Sequence, residues 1–153
     1  GLRIGWLAAQ DKNILNEVSQ YKHYLSIANS VSSERLALIA LKSRDKILKA
    51  NQAYLRENIK NLELFFHSYP NLFQWTRPQG GCIAYPKFVG LNGGESFCRD
   101  LLEKKRVFLL PGSVYESPLV STPKNHFRIS FGRKQAFKVG LDVIRDYLDS
   151  EYK

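Results

Sequence analysis

The sequence predicts an α+β fold: a small mixed or antiparallel sheet with helices packed on one face, plus a long helix in the N-terminal half. Three observations carry that expectation. From Glu34 to about Ser68 there is neither glycine nor proline, and Leu48, Leu55, Ile59, Leu62 and Phe66 recur at threes, fours and sevens. After Pro70 the helical period gives way to short apolar runs punctuated by glycine and proline. The resulting order is strand, two helices, strands, helix, strand, strand, helix, with no internal repeat.

In chain order, Arg3 to Ala9 is expected as a short strand, apolar and bounded by Gln-Asp. Asp11 then caps a helix whose Ile14, Leu15, Val18 and Tyr21 share one face. Ser30 to Ser33 forms a turn with several candidate N-caps. The long helix follows, bent near Ser43 where its apolar stripe weakens. Leu72 to Thr76 and Cys82 to Phe88 are strands joined by a hairpin through Arg77-Pro78-Gln79-Gly80-Gly81. A brief helix over 96–105 buries Phe97, Leu101 and Leu102. Val107 to Leu110 is a strand stopped by Pro111-Gly112, and 115–125 is a loop. In 126–131 the apolar residues Phe127, Ile129 and Phe131 alternate with Arg128 and Ser130, as in a half-buried strand. The last helix, about 134–148, buries Phe137, Leu141, Ile144 and Leu148.

Composition bounds the function classes. At 153 residues, 44% hydrophobic and 24% charged, the chain has one domain's worth of core and no compositional sign of disorder. No apolar run approaches the ~18 residues of a membrane span, and the start lacks the pattern of a signal peptide. Cys82 and Cys98 make neither a metal pair nor a disulfide framework, which points to reduced thiols in a cytoplasmic protein. The formal charge of +9 raises nucleic acid as a partner, but the basic residues are dispersed among acids from Arg3 to Lys153. Neither nucleic acid nor membrane is therefore expected. The absence of methionine and the abrupt apolar opening predict that the chain begins inside a larger protein.

Two arginines are candidates for binding anions. Arg128 occupies the polar phase of an otherwise apolar strand, and its planar fork of donors suits a carboxylate. Arg3 is a lone cation at the head of an apolar segment, with Gly5 permitting close approach. For each, an ion pair with a surface acid is the ordinary alternative. His126 invites an acid–base role, but a histidine on an edge strand is the plainer expectation. Trp6 and Trp75 are expected in the core or at an interface.

Three segments, Gly1-Leu2-Arg3-Ile4-Gly5-Trp6, Pro78-Gln79-Gly80-Gly81 with the later Pro111-Gly112-Ser113-Val114-Tyr115, and Phe127-Arg128-Ile129-Ser130-Phe131, together resemble the class I/II aminotransferases of fold type I, which depend on pyridoxal phosphate. The resemblance runs nearly the whole length of the chain. It implies that Arg3 binds the cofactor phosphate and Arg128 the substrate α-carboxylate. It also implies a division into a remnant of the large cofactor domain (1–32), a long interdomain helix (33–69) and a C-terminal small α+β domain (70–153). The lysine that forms the Schiff base would lie just upstream of Gly1, so no catalytic residue is assigned here and Lys12, Lys22 and Lys42 are read as surface residues. The expectation is a part of an aminotransferase that moves an amino group between an amino acid and a 2-oxo acid. Pyridoxal 5′-phosphate then belongs to the intact parent, a homodimer, and is not held by this chain alone. A lyase, decarboxylase or synthase using the same cofactor is the neighbouring alternative; a dimerisation or nucleic-acid-binding domain is the more distant one. Tyr115 is followed by Glu116 where many members of the family have glycine, which implies a different local loop.

Overall fold

Helix starts follow their capping residues in the computed structural model, which describes residues 2–152; Gly1 of the opening motif lies outside them. The Asp11 carboxylate accepts a hydrogen bond from the Asn13 amide at 2.8 Å and opens helix α1 (Lys12–Leu25). Of the candidate caps near residue 30, Ser30 takes the role, accepting from the Ser33 amide ahead of α2 (Val31–Lys42). The long periodic run is two helices, α2 and α3 (Arg44–Ser68), which meet at Ser43. There the Ser43 amide bonds back to the Ile39 and Ala40 carbonyls at 3.0 and 3.2 Å.

Two compact units divide the chain, Gly1–Ala50 and Asn51–Lys153, with the boundary inside α3. In the first unit α1 and α2 bury none of their residues. Ile14, Leu15, Val18 and Tyr21 share helical spacing yet all remain exposed, as does Trp6 at 74%. The expected strand over 3–9 does not form. Arg3 has φ +52°, in the left-handed region, which takes the backbone out of the β conformation at the head of the segment.

The second unit holds the core. Strands β1 (Phe73–Gln74) and β3 (Lys87–Phe88) pair antiparallel, with Phe73 opposite Phe88. Strands β2 (Ile83–Ala84), β5 (Phe127–Ser130) and β4 (Leu110–Pro111) make a second antiparallel sheet in the order β2-β5-β4. The predicted runs 72–76 and 82–88 thus pair antiparallel at their far ends, β1 with β3, but a wide connection over 75–86 replaces the tight hairpin across 77–81, and β2 within it pairs with β5. Tyr85-Pro86 separates β2 from β3 and lets the two short strands serve different sheets, since proline cannot donate to a ladder. The strand expected at 107–110 is ladder-paired only at Leu110–Pro111. Helix α4 (Gly93–Lys105) begins earlier than the spacing implies, and α5 (Ala136–Glu151) closes the chain.

Aromatic side chains from both sheets and three helices fill the interior. Phe88 and Phe97 stack at 4.3 Å, while Phe73 meets Phe66, Phe88, Phe97 and Phe127 edge-on. Ile59, Leu62 and Phe66 of α3 are buried as the periodicity predicts, whereas Leu48 is 47% exposed. On α4, Phe97 and Leu101 are buried with Cys98, but Leu102 is exposed. All four predicted apolar residues of α5 are buried, joined by Tyr147. Burying each such side chain contributes about 1.5–3 kcal/mol. Among the described residues no helix is long and apolar enough to cross a membrane.

One polar residue sits in that interior. Asn58 of α3 is 4% exposed, and its amide nitrogen donates to the Phe131 carbonyl at 2.9 Å and the Arg133 carbonyl at 3.1 Å. These carbonyls lie just beyond the end of β5, where the ladder no longer supplies donors. Replacing Asn58 by Ala should lower stability by about 1–3 kcal/mol, because it strands a buried carbonyl; urea unfolding of N58A against the parent measures it.

A second polar cluster ties α4 to α5. Lys104 Nζ and Tyr147 Oη both donate to Asp100 Oδ2, at 2.9 and 3.0 Å. Those two hydrogen bonds, from Lys104 first and Tyr147 second, hold the Asp100 carboxyl below its ordinary value. A depressed folded value means that the contribution is present above the unfolded pKa of about 3.9 and is lost as pH falls through the folded value. The stability difference between the parent and Asp100→Asn should therefore be largest near neutral pH and shrink below about pH 4, read from unfolding midpoints across pH.

Candidate functional site

Strand β5 alternates as its sequence predicts: Phe127 and Ile129 are buried, Arg128 is half-buried and Ser130 is exposed. A period of two puts Arg128 on the strand face opposite the core. Its backbone position is fixed from both sides. Leu110 of β4 lies opposite Arg128, and Ala84 of β2 lies opposite Ile129. The Phe131 amide then donates to the Cys82 carbonyl at 2.8 Å, extending the β2 contact past the strand's end.

The Pro111-Gly112 turn brings a second wall to this arginine. The Gly112 amide donates to the His126 carbonyl at 2.7 Å. A Cβ at residue 112 would lie 2.9 Å from the Tyr85 hydroxyl and 3.0 Å from the His126 carbonyl oxygen, so glycine is what lets the turn close. A 3-10 turn over Gly112–Tyr115 follows, anchored where the Ser113 hydroxyl donates to Glu95 Oε2 at 2.7 Å. Glu95 lies in the first turn of α4, where the helix dipole also favours a carboxylate. Tyr115 at the end of this turn accepts a hydrogen bond from Arg128 Nη1 at 3.2 Å.

Beyond Tyr115 the loop returns to the sheet through Asn125, whose Oδ1 accepts from the Gly94 amide at 3.2 Å and whose carbonyl accepts from the Phe88 amide at 2.8 Å. The backbone of Asn125 comes so close to Gly94 that an added Cβ would sit 2.6 Å from its carbonyl oxygen. Turn and loop line an open cleft of about 510 Å³ whose walls include Arg128, Ile83, Tyr85, Tyr115, Val120 and Pro123.

Among the described residues Arg128 is the one charged side chain lining this cleft, and no ion pair engages it. The surface-acid alternative for Arg128 is therefore not what the structure shows. Tyr85 sets its ring edge-on to Tyr115 at 6.2 Å and stacks on His126 at 5.2 Å. Burial, with the Tyr115 phenol beside it, pushes the Tyr85 hydroxyl above its ordinary value, so it stays neutral at physiological pH. The arrangement is one cation in a neutral, largely apolar recess, which suits a small carboxylate on an apolar body. His126 precedes β5, and its Nδ1 lies 3.1 Å from the Lys124 carbonyl; its ring is committed to stacking on Tyr85.

Arg3 belongs to the first unit. With Arg44 it lines a separate cleft of about 560 Å³ whose other walls include Leu2, Ile4, Trp6 and Leu41. Arg44 is paired to Asp45 at 3.2 Å, whereas among the described residues no ion pair engages Arg3. Two guanidiniums on one cleft have the donor chemistry of an oxyanion site. Among the described residues no group of three or more His, Cys, Asp or Glu side chains is placed to hold a metal ion.

Three residues that hydrogen-bond the segments next to the Arg128 cleft are absent from the candidates that sequence pattern alone supplies. Asn58 stands four residues before Leu62, on the buried stripe, and that spacing is its signal. Asn125 takes φ +65°, a conformation asparagine tolerates better than most residues, and it ends a proline-containing loop. Glu95, two residues into the Gly93-Gly94 helix start, fits a first-turn acid.

Residues 1–144 match the family model described as aminotransferase class I and II. The chain is 25% identical over 115 residues to the capreomycidine synthase of Streptomyces vinaceus, covering 75% of this chain and 29% of that protein. It is 26% identical over 156 residues to the aspartate aminotransferase of Thermotoga maritima, covering 98% of this chain and 36% of that one. Among solved structures, a PLP-dependent aminotransferase from Streptococcus suis superposes with a TM-score of 0.87 at 28% identity, covering 100% of this chain and 39% of the other. The chain thus spans roughly a third of the length of the curated relatives it matches.

Proposed function

Because the chain belongs to the class I and II aminotransferases, we propose that it serves in a protein that moves an amino group between an amino acid and a 2-oxo acid. The observation that carries this reading is the Arg128 guanidinium, without an acid partner, in a neutral cleft. Arg128 grips the α-carboxylate of the amino or 2-oxo acid through its parallel donors. Holding that carboxylate fixes the rotation of the bound acid, and so which bond at Cα is presented for reaction. The apolar surface contributed by Ile83, Tyr85, Tyr115 and Val120 lowers the polarity beside the ion pair and strengthens it.

Pyridoxal phosphate, when bound, supplies the electron sink for the negative charge that develops at Cα. Arg3 fits its phosphate by donor chemistry: no ion pair engages it among the described residues, and it shares its cleft with Arg44. In this reading residues 1–32 belong to the large cofactor domain, 33–69 connect the domains, and 70–153 form the small domain. No lysine of this chain takes the covalent role, and the chain alone turns over no substrate. The intact protein is a cytoplasmic homodimer.

Substitution tests the two arginines separately in the intact protein. Arg128→Ala should lower kcat/KM for α-amino acids by about a hundred-fold or more while the cofactor's absorption is retained, since a truncated charge pair leaves the carboxylate buried without a partner. Unchanged kinetics would remove Arg128 from the site. Arg3→Ala should weaken cofactor retention on dialysis, and a cofactor held as tightly as in the parent would remove Arg3 from phosphate binding.

A further inference from the structure

Arg128 is held by a neutral partner. A long arginine side chain free in a cleft samples many rotamers, and a ligand that immobilises it must offset that lost freedom. An acid partner would restrain the guanidinium but would also cancel its charge and compete with an incoming carboxylate. Tyr115 does neither. Its hydroxyl accepts from Nη1 at 3.2 Å, uses one of the guanidinium's several donors and leaves the charge intact.

Tyr115 is itself fixed before any ligand arrives. Its carbonyl accepts from the Thr122 hydroxyl at 3.1 Å, and its ring meets Tyr85 edge-on. The turn that carries it is pinned by the bond from Ser113 to Glu95 and by the bond from the Gly112 amide to the His126 carbonyl. The hydroxyl is therefore a fixed point on one wall, and the guanidinium on the other wall is tethered to it.

From this geometry we infer that Tyr115 is a positioning residue, which pre-orients the Arg128 guanidinium for a carboxylate. The inference rests on the carboxylate reading of Arg128 given above. Tyr115 acts through Arg128 and need not touch the ligand.

A double-mutant cycle on the holoenzyme of the intact protein tests it, with 3-phenylpropionate as an unreactive carboxylate probe whose apolar body suits the cleft. Calorimetric dissociation constants are compared for the parent, Tyr115→Phe, Arg128→Lys and the double variant. Tyr115→Phe should weaken binding about five-fold, the scale of one ordinary intramolecular hydrogen bond. In the Arg128→Lys background, where the planar fork is gone, the same change should cost less than about two-fold. Equal costs in both backgrounds would show Tyr115 acting independently and overturn the inference. If Arg128→Lys binds the probe as tightly as the parent, the carboxylate grip itself fails and the inference falls with it. Tyr115 is 42% exposed and Phe keeps the ring, so the melting temperature of Tyr115→Phe should match the parent's. A drop of several degrees, with a binding cost that persists in the Arg128→Lys background, would mark a merely structural role and overturn the inference as well.

Discussion

The buried amide of Asn58 is the constraint that fixes where the chain leaving the Arg128 strand meets α3. Helix α3 presents an apolar stripe to the core, and hydrophobic burial by Ile59, Leu62, Phe65 and Phe66 has no directional preference of its own. Asn58 supplies direction. By donating to the carbonyls of Phe131 and Arg133 it ties the chain leaving β5 to one place on α3. Strand β5 is held along its two edges by ladders to β2 and β4, so its register is fixed. With that register the alternation that buries Phe127 and Ile129 turns Arg128 toward the cleft.

The way polar groups are matched elsewhere explains why Arg128 remains available. Two acidic groups of α4 are already engaged: Glu95 accepts from Ser113, and Asp100 from Lys104 and Tyr147. What surrounds Arg128 is phenol, hydroxyl and aliphatic surface. A permanent cation in such surroundings is tolerable because it is only half-buried, and its attraction grows when a carboxylate replaces the solvent around it. The first unit differs in kind. Its helices α1 and α2 are regular and begin at side-chain caps, yet bury none of their residues.

Some positions were legible because one local rule governed them. The burial of Phe137, Leu141, Ile144 and Leu148 follows from spacing alone, as does the N-cap at Asp11 from residue type. The alternation through Phe127, Arg128 and Ile129 is enough to single out the candidate arginine. Others were illegible because two rules competed. The segment 3–9 has strand composition, but a strand also needs an edge to pair with, and among the described residues no strand pairs with this segment. The runs at 72–76 and 82–88 do pair antiparallel, but only through Phe73–Gln74 and Lys87–Phe88, because the Ile83–Ala84 stretch between them is taken by the edge of β5. Leu102 has the spacing of a core residue and is exposed, because the packed face of α4 runs through Gly94, Phe97, Cys98 and Leu101 instead.

By itself, then, the sequence determined the α+β class, the helical faces of α3 and α5, the family motifs and the identity of Arg128 and Arg3 as candidate anion-binding residues. These depend on periodicity and residue chemistry, which are local. Only the tertiary structure decided that Arg128 has a neutral partner in Tyr115 rather than an acid, that Asn58 clamps the end of its strand, and that Gly112 and Gly94 allow the cleft walls to close. The Tyr115 and Asn58 contacts join residues 13 and 73 positions apart. Contacts at that separation are set by how elements pack, and no local pattern along the chain records them.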